Sequence, residues 1–424
     1  MTDHGEGPAP PPFAASVPSM FELLRAAESN PIDGAQADNL WNWLLERQGL
    51  AEHTHIDSVP AIADAALGLH AARLPSPYAT VAARSASAEV PMSLFTETTR
   101  TSVITVRCMR KTLHTLPLPL AAAAHAATAH FRVRDALRQV TNTGVPPTQV
   151  DKAIAALTAI LEEDGPTFHR DLERRLGRRG FALTTARLAI KVGWERGVLC
   201  YLNRTTGWNR EIRTFGLTSV AYPGVDLHQP REHATAVLIG AYFDRYGPAS
   251  IRDAMWWSAL PGSAITQALA DTGRELVALT TPWTDDPVYM FRDRFEQFTE
   301  CAVQRASERI SFLAHEDVAL KAYSQTRSRY LGDLPERAVF NQIGEVLPTV
   351  MIDGRLVGTW SWNKAARRVE PALVRGRTSP QQRKLVRARA EILSGTLLRG
   401  WQNANGIGGA GSIPSHQDEL DLVW

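Results

Sequence analysis

Between Val150 and Leu217 the hydrophobic spacing switches from a helical period to a strand period, and this switch constrains the fold more than any other feature of the chain. Val150, Ile154, Leu157 and Leu161 recur at helical spacing until Asp164-Gly165-Pro166 ends the run. Leu172 and Leu176 mark a short second helix, and Ala186, Ile190 and Trp194 share one face of a third, from about Thr184 to Arg196. Val198 to Leu202 then reads as a strand, Thr205-Thr206-Gly207 as a turn and Glu211 to Leu217 as a returning strand. Three helices followed by a two-stranded ribbon is the order of a winged-helix unit.

The order recurs on both sides. Downstream, Ala236, Gly240 and Tyr242 mark a helix that stops at Tyr246-Gly247-Pro248. Ser250 with Asp253 forms a capping-box start for the next, Ser263 is expected to cap a third, and Glu275 to Leu279 reads as a strand. Upstream, helical patterns around Leu40–Leu45 and Val59–Leu69 precede one strand-like run from Ser102 to Leu116. Proline- and glycine-rich breaks divide these units at 36–145, 146–225 and 226–290. The part from 291 to 402 differs. Asp353-Gly354 between β-rich runs is a strong hairpin signal, and Gly358-Thr359-Trp360, Val369 and Leu373 continue it toward a small β-barrel. Ser379-Pro380 opens a last helix through Leu385, Ile392 and Leu393 to about Trp401. Residues 1–35, with the Pro8–Pro12 run, and 403–424, rich in Gly, Asn and Ser, are expected to be disordered tails.

Composition excludes some classes. No stretch approaches the ~20 consecutive apolar residues of a membrane span, and the N-terminus lacks the basic start and apolar run of a secretory signal. Cys108, Cys200 and Cys301 have no paired spacing, so neither a disulfide framework nor a zinc cluster is expected, and a reducing cytoplasm is the natural location. His53 with His55, and His125 with His130, lack convergent partners, so no metal or cofactor is expected.

Net charge is only +2, yet just six of the 46 basic residues are lysine. A GC-rich genome gives that bias, and so does selection for forked guanidinium contacts to phosphate. His169, Arg170, Arg174, Arg175, Arg178 and Arg179 lie ahead of the third helix of the second unit, while Arg204, Arg210 and Arg213 flank its ribbon. Trp208, near the ribbon tip, is placed as an apolar wedge. Alternate residues of a strand share a face, so in Val103–Leu116 Arg110, Thr112 and His114 point the same way and Arg107 opposes them, a row of donors suited to a phosphate backbone or a polar cleft. The competing reading of the same charges is a solvated surface or an edge strand blunted by charge.

The succession Leu44-Leu45-Glu46-Arg47-Gln48-Gly49-Leu50, Gly68-Leu69-His70-Ala71-Ala72 through Pro77-Tyr78, and Arg107-Cys108-Met109-Arg110-Lys111-Thr112-Leu113-His114 resembles the AlkZ/YcaQ-type winged-helix DNA glycosylases. The likeness continues through Tyr246-Gly247-Pro248-Ala249-Ser250 with Trp256 and Trp257, then Leu347-Pro348-Thr349-Val350, Asp353-Gly354-Arg355 and Gly358-Thr359-Trp360. It implies an α+β, mainly helical protein with three tandem winged-helix units around a DNA channel, a C-terminal small β-barrel and a terminal helix. The implied activity is monofunctional removal of bulky or N7-alkylated purine adducts from duplex DNA, in some members as self-resistance to a genotoxin, by a cytoplasmic, nucleoid-associated monomer. The family's catalytic pair, Gln-x-Gln or Gln-x-Asp, aligns with His70-Ala71-Ala72, so His70 takes the first position and Ala72 leaves the second without a polar atom.

An N7-alkylated purine already carries positive charge and leaves without strong acid assistance. The enzyme must then hold a water and stabilise an oxocarbenium-like sugar. A neutral imidazole can do the first. His70 is therefore the candidate catalytic residue, with Arg107, Arg110, Thr112, His114, Arg204, Trp208 and Arg210 as candidate DNA contacts. The alternative, which Ala72 favours, is a non-catalytic DNA-binding protein that binds lesions or regulates.

Overall fold

The computed structural model describes residues 29–301 and 309–401. Three times the chain runs helix, very short strand, helix, helix, hairpin, and each short strand pairs with the second strand of the hairpin. In the first round these are Val59–Ala65, Leu69–His70, Pro75–Arg84, Glu97–Ser102, Val103–Arg107 and Leu113–Pro117. In the second they are Pro147–Asp164, Thr167–Phe168, His169–Arg178, Leu183–Glu195, Leu199–Asn203 and Arg213–Leu217. In the third they are Arg231–Tyr246, a lone bridge from Ala249 to Tyr289, Ile251–Ser258, Gly262–Asp271, Leu276–Thr281 and Thr284–Phe291. The Ser250–Asp253 capping box forms as read, whereas the third helix of this round starts one residue before Ser263, after Pro261.

The first two hairpins share one six-stranded sheet, joined at a single residue pair, Thr105 with Tyr201. The long helix Leu118–Thr143 packs against Leu183–Glu195 and Arg231–Tyr246, which ties the three rounds together. An aromatic core of Trp41, Tyr242, Tyr246, Tyr323 and Tyr330 joins the first described helix, Gly34–Arg47, to the third round and to the C-terminal part.

Two expectations change here. The strands Ile310–Leu313, Thr349–Ile352, Arg355–Asn363 and Arg368–Leu373 form an open antiparallel meander rather than a closed barrel: the first and last strands stay apart, and the helix Pro380–Arg399 covers the sheet. The Asp353-Gly354 turn between its second and third strands is as read, with both residues at positive φ. Within the 1–35 tail, Ser29–Pro31 is a strand, paired in parallel with Leu276–Thr281. The tail 403–424 lies outside the described residues.

Candidate active site

His70 stands on a strand two residues long. Gly68 makes that strand possible: its φ is +101°, and a Cβ there would lie 2.5 Å from the Leu116 side chain. The strand therefore sits tight against Leu113–Pro117, with His70 directly opposite His114. Facing residues of an antiparallel pair project to the same side, and the two imidazoles meet edge to face with centroids 5.4 Å apart.

The run carrying His114 is not one strand. The chain reverses at Cys108–Thr112, where Arg110 and Lys111 adopt positive φ (52° and 61°) and the amides of Lys111 and Thr112 donate to the carbonyls of Cys108 and Met109. The reversal overturns the alternation expected for Val103–Leu116 and scatters the proposed row of donors. Arg107 turns inward, donates to Glu195 and to the Lys111 carbonyl, and is 9% exposed. Thr112 donates to the Met109 carbonyl. His114, 2% exposed, places Nδ1 3.3 Å from the Thr112 carbonyl and 3.6 Å from Cys108 Sγ. Arg110 is half-buried, lying over the Trp256 indole at 3.6 Å and donating to its carbonyl. Neither Arg107 nor His114 is placed to touch a phosphate.

The ribbon of the second round divides likewise. Arg204 is exposed and pairs with the exposed Glu97, and Arg210 is half-buried. Trp208 is no wedge: its indole N–H donates to the Leu397 carbonyl, and its ring packs against Trp362 and Trp401. The terminal helix pulls it into the core.

The other half of the site comes from residues the sequence reading passed over. Asp317, fully buried, forms a two-point ion pair with Arg84 (3.0 and 2.8 Å) and accepts from the Ala319 amide. Ser76 donates to the His315 carbonyl. These contacts pin the segment 315–321 to the helix that follows His70 and bring Glu316 and Lys321 into the interior as an ion pair. Glu316 reaches this place with φ at +56°, a costly conformation for a side-chain-bearing residue, and its Oε1 accepts from the Val346 amide. At the rim Glu345 pairs with Arg73 at 3.2 Å and faces His315 at 3.4 Å. A lysine inside the apolar run Val318–Ala322, just after three consecutive titratable residues, was the available signal.

Electrostatics follow from burial. His70 is held well below its ordinary value, first by burial and then by His114, Lys321, His315 and Arg73. Burial and Lys321 push His114 down to about 3. Burial and Arg110 push Lys321 down to about 7. Both imidazoles are thus neutral near pH 7. Buried polar atoms are ordinarily paired, but both ring nitrogens of His70 lack a hydrogen-bond partner among the described residues. Ala72, in contrast, is exposed.

Neutral imidazoles, an amine and a carboxylate thus form one electrostatically coupled group. Comparison with known proteins supplies the class. A profile of the family described as DNA glycosylase AlkZ-like matches residues 63–394, and the chain belongs to this family. It is 29% identical over 235 residues to the interstrand DNA cross-link repair glycosylase of Streptomyces sahachiroi, a match covering 51% of this chain and 59% of the relative. The solved structure of Streptomyces sahachiroi DNA glycosylase AlkZ has the same fold, with a TM-score of 0.69 at 22% identity, covering 85% of this chain and 96% of that one.

Proposed function

We propose that the protein is a DNA glycosylase that hydrolyses the N-glycosidic bond of bulky or N7-alkylated purine adducts in duplex DNA, including cross-linked DNA of the kind named for its relative. The observation that carries this reading is the buried, neutral imidazole of His70, whose ring nitrogens have no hydrogen-bond partner among the described residues. One lone pair holds a water for attack on C1′, and the cationic base departs unaided by a strong acid. The second motif position is mute in this chain. Glu316 and Glu345 are the carboxylates that the C-terminal part brings to the same cluster, and they balance positive charge as it develops on the sugar.

The three repeated rounds are read as winged-helix units bounded near 36–145, 146–225 and 226–290, with DNA held through Arg110, Arg204, Arg210 and the exposed Arg170, Arg174, Arg178 and Arg179. The protein acts as a monomer at the nucleoid, and a role in genotoxin self-resistance fits the substrate class. The test is incubation with duplex containing N7-methylguanine and quantitation of the free base. Release is expected, and His70→Ala should slow it by ~10²-fold. Release unaffected by that change would overturn the role of His70. Tight binding without release across several cationic adducts would instead support a lesion binder, the reading Ala72 favours.

A further inference from the structure

The buried pair Glu316–Lys321 is more than single-step hydrolysis needs. Water held by His70 suffices to replace a cationic base. Yet the fold also carries a primary amine on the segment that Arg84 and Ser76 hold against the helix following His70, where its charge acts on both His70 and His114. It does so at the expense of a positive φ at Glu316 and an ion pair almost wholly out of water. An apolar pair in the same volume is often at least as stable, so stability does not account for the choice.

We infer that Lys321 is the nucleophile of a second reaction, cleavage of the abasic site that base removal leaves behind. The inference deepens the glycosylase reading and rests on it. In the ring-opened form of an abasic deoxyribose, C1′ is an aldehyde. The Nζ lone pair adds to C1′, Glu316 takes the proton released from nitrogen and returns it to the oxygen, and loss of water gives an imine. A neutral ring nitrogen of His70 removes a C2′ proton, the electron pair of that bond forms the C2′=C3′ double bond, and the C3′–O bond breaks with its electrons on the 3′-phosphate. Water then hydrolyses the imine, releasing an unsaturated aldehyde on the 5′ fragment and restoring the amine. No oxidant, reductant or metal enters the balance.

Three features suit this sequence of steps. Burial leaves a useful fraction of the Lys321 amine unprotonated at neutral pH. The base that the elimination needs, His70, is neutral and unpartnered. The rim pair Arg73–Glu345 is partly exposed, so parting it to admit the sugar costs little. The protein would then be bifunctional, where the family resemblance implies a monofunctional enzyme.

The test starts from duplex carrying a preformed abasic site, so that base release is not required. With cyanoborohydride present, a covalent protein–DNA species is expected, and without it strand cleavage 3′ to the abasic site. Lys321→Arg keeps the charge beside Glu316 but offers no nucleophilic amine. It should lower trapping and cleavage at least ~10-fold while leaving the thermal unfolding midpoint and DNA affinity close to wild type. Proteolysis and mass spectrometry of the trapped species should place the adduct on Lys321, and with five other lysines in the chain the position is unambiguous. Absence of a trapped species under conditions where the abasic duplex is bound would overturn the inference, as would an adduct on another amine. If Lys321→Arg unfolds, the adduct position on the wild-type protein still decides. Trapping at Lys321 without release of N7-methylguanine would uphold the lyase and defeat the glycosylase reading; release without trapping would do the reverse.

Discussion

Two buried charged clusters flank the first hairpin, and they differ in how completely their polar atoms are satisfied. On one side Glu195 bridges Arg107 and Arg132, each at 2.5 Å. The remaining guanidinium groups find the Lys111 carbonyl, the Thr128 hydroxyl and the His125 carbonyl. Every contact there is internal, and the cluster locks the hairpin to the helices Leu118–Thr143 and Leu183–Glu195. On the other side, among the described residues, His70 has no hydrogen-bond partner for either nitrogen, and Lys321 pairs with the Glu316 carboxylate. A network whose bonds are all closed serves as scaffold. One with open valences in a protected place is built to receive something.

The contrast can be broken most forcefully at Glu195. Glu195→Ala strands two buried guanidinium groups and is expected to cost ~3–5 kcal/mol in denaturant-induced unfolding, with activity falling only as the folded fraction falls. His70→Ala should behave in the opposite way. Its ~10²-fold loss in base release corresponds to about 2.7 kcal/mol in the barrier, while folding stability holds or rises because two unsatisfied atoms leave the interior. A stability loss for His70→Ala comparable to that of Glu195→Ala would erase the distinction.

Acid should strain both regions. His114 in the open cluster and His125 beside the closed one are each pushed down to about 3 by burial. A lowered folded-state value means that the unfolded chain binds more protons as pH falls below ~6.5. Stability is therefore intact above ~6.5 and declines between there and about 3, by ~1.4 kcal/mol per pH unit for each group. His114→Asn should reduce the slope by one group's share in unfolding curves measured across that range. The smallest effect belongs to the surface: Arg204→Ala should leave stability within ~0.5 kcal/mol and lower the log–log salt slope of duplex binding by about 0.9.

Much of the backbone was readable because its signals are local. Asp353-Gly354 can take the positive φ values of its turn, Ser250 and Ser379 cap the helices they precede, and the second round follows its periodicity almost residue for residue. The first hairpin escaped because its turn uses Arg110 and Lys111 at positive φ, where no glycine or asparagine marks a reversal. Burial escaped for a different reason. Trp208 is hidden by Leu397, Arg107 is drawn inward by Glu195, and the Glu316–Lys321 pair acquires meaning only beside His70. Each depends on a partner far along the chain, which no short window of residues displays. His70 itself was visible through the family resemblance, whereas the company it keeps was not.

The Arg84–Asp317 clasp has a temporal consequence. The imidazole leaves the ribosome early and the amine late, and the clasp that joins their segments can close only once Asp317 has emerged. A chain interrupted before Asp317 therefore carries His70 without the segment that packs beside the helix after it.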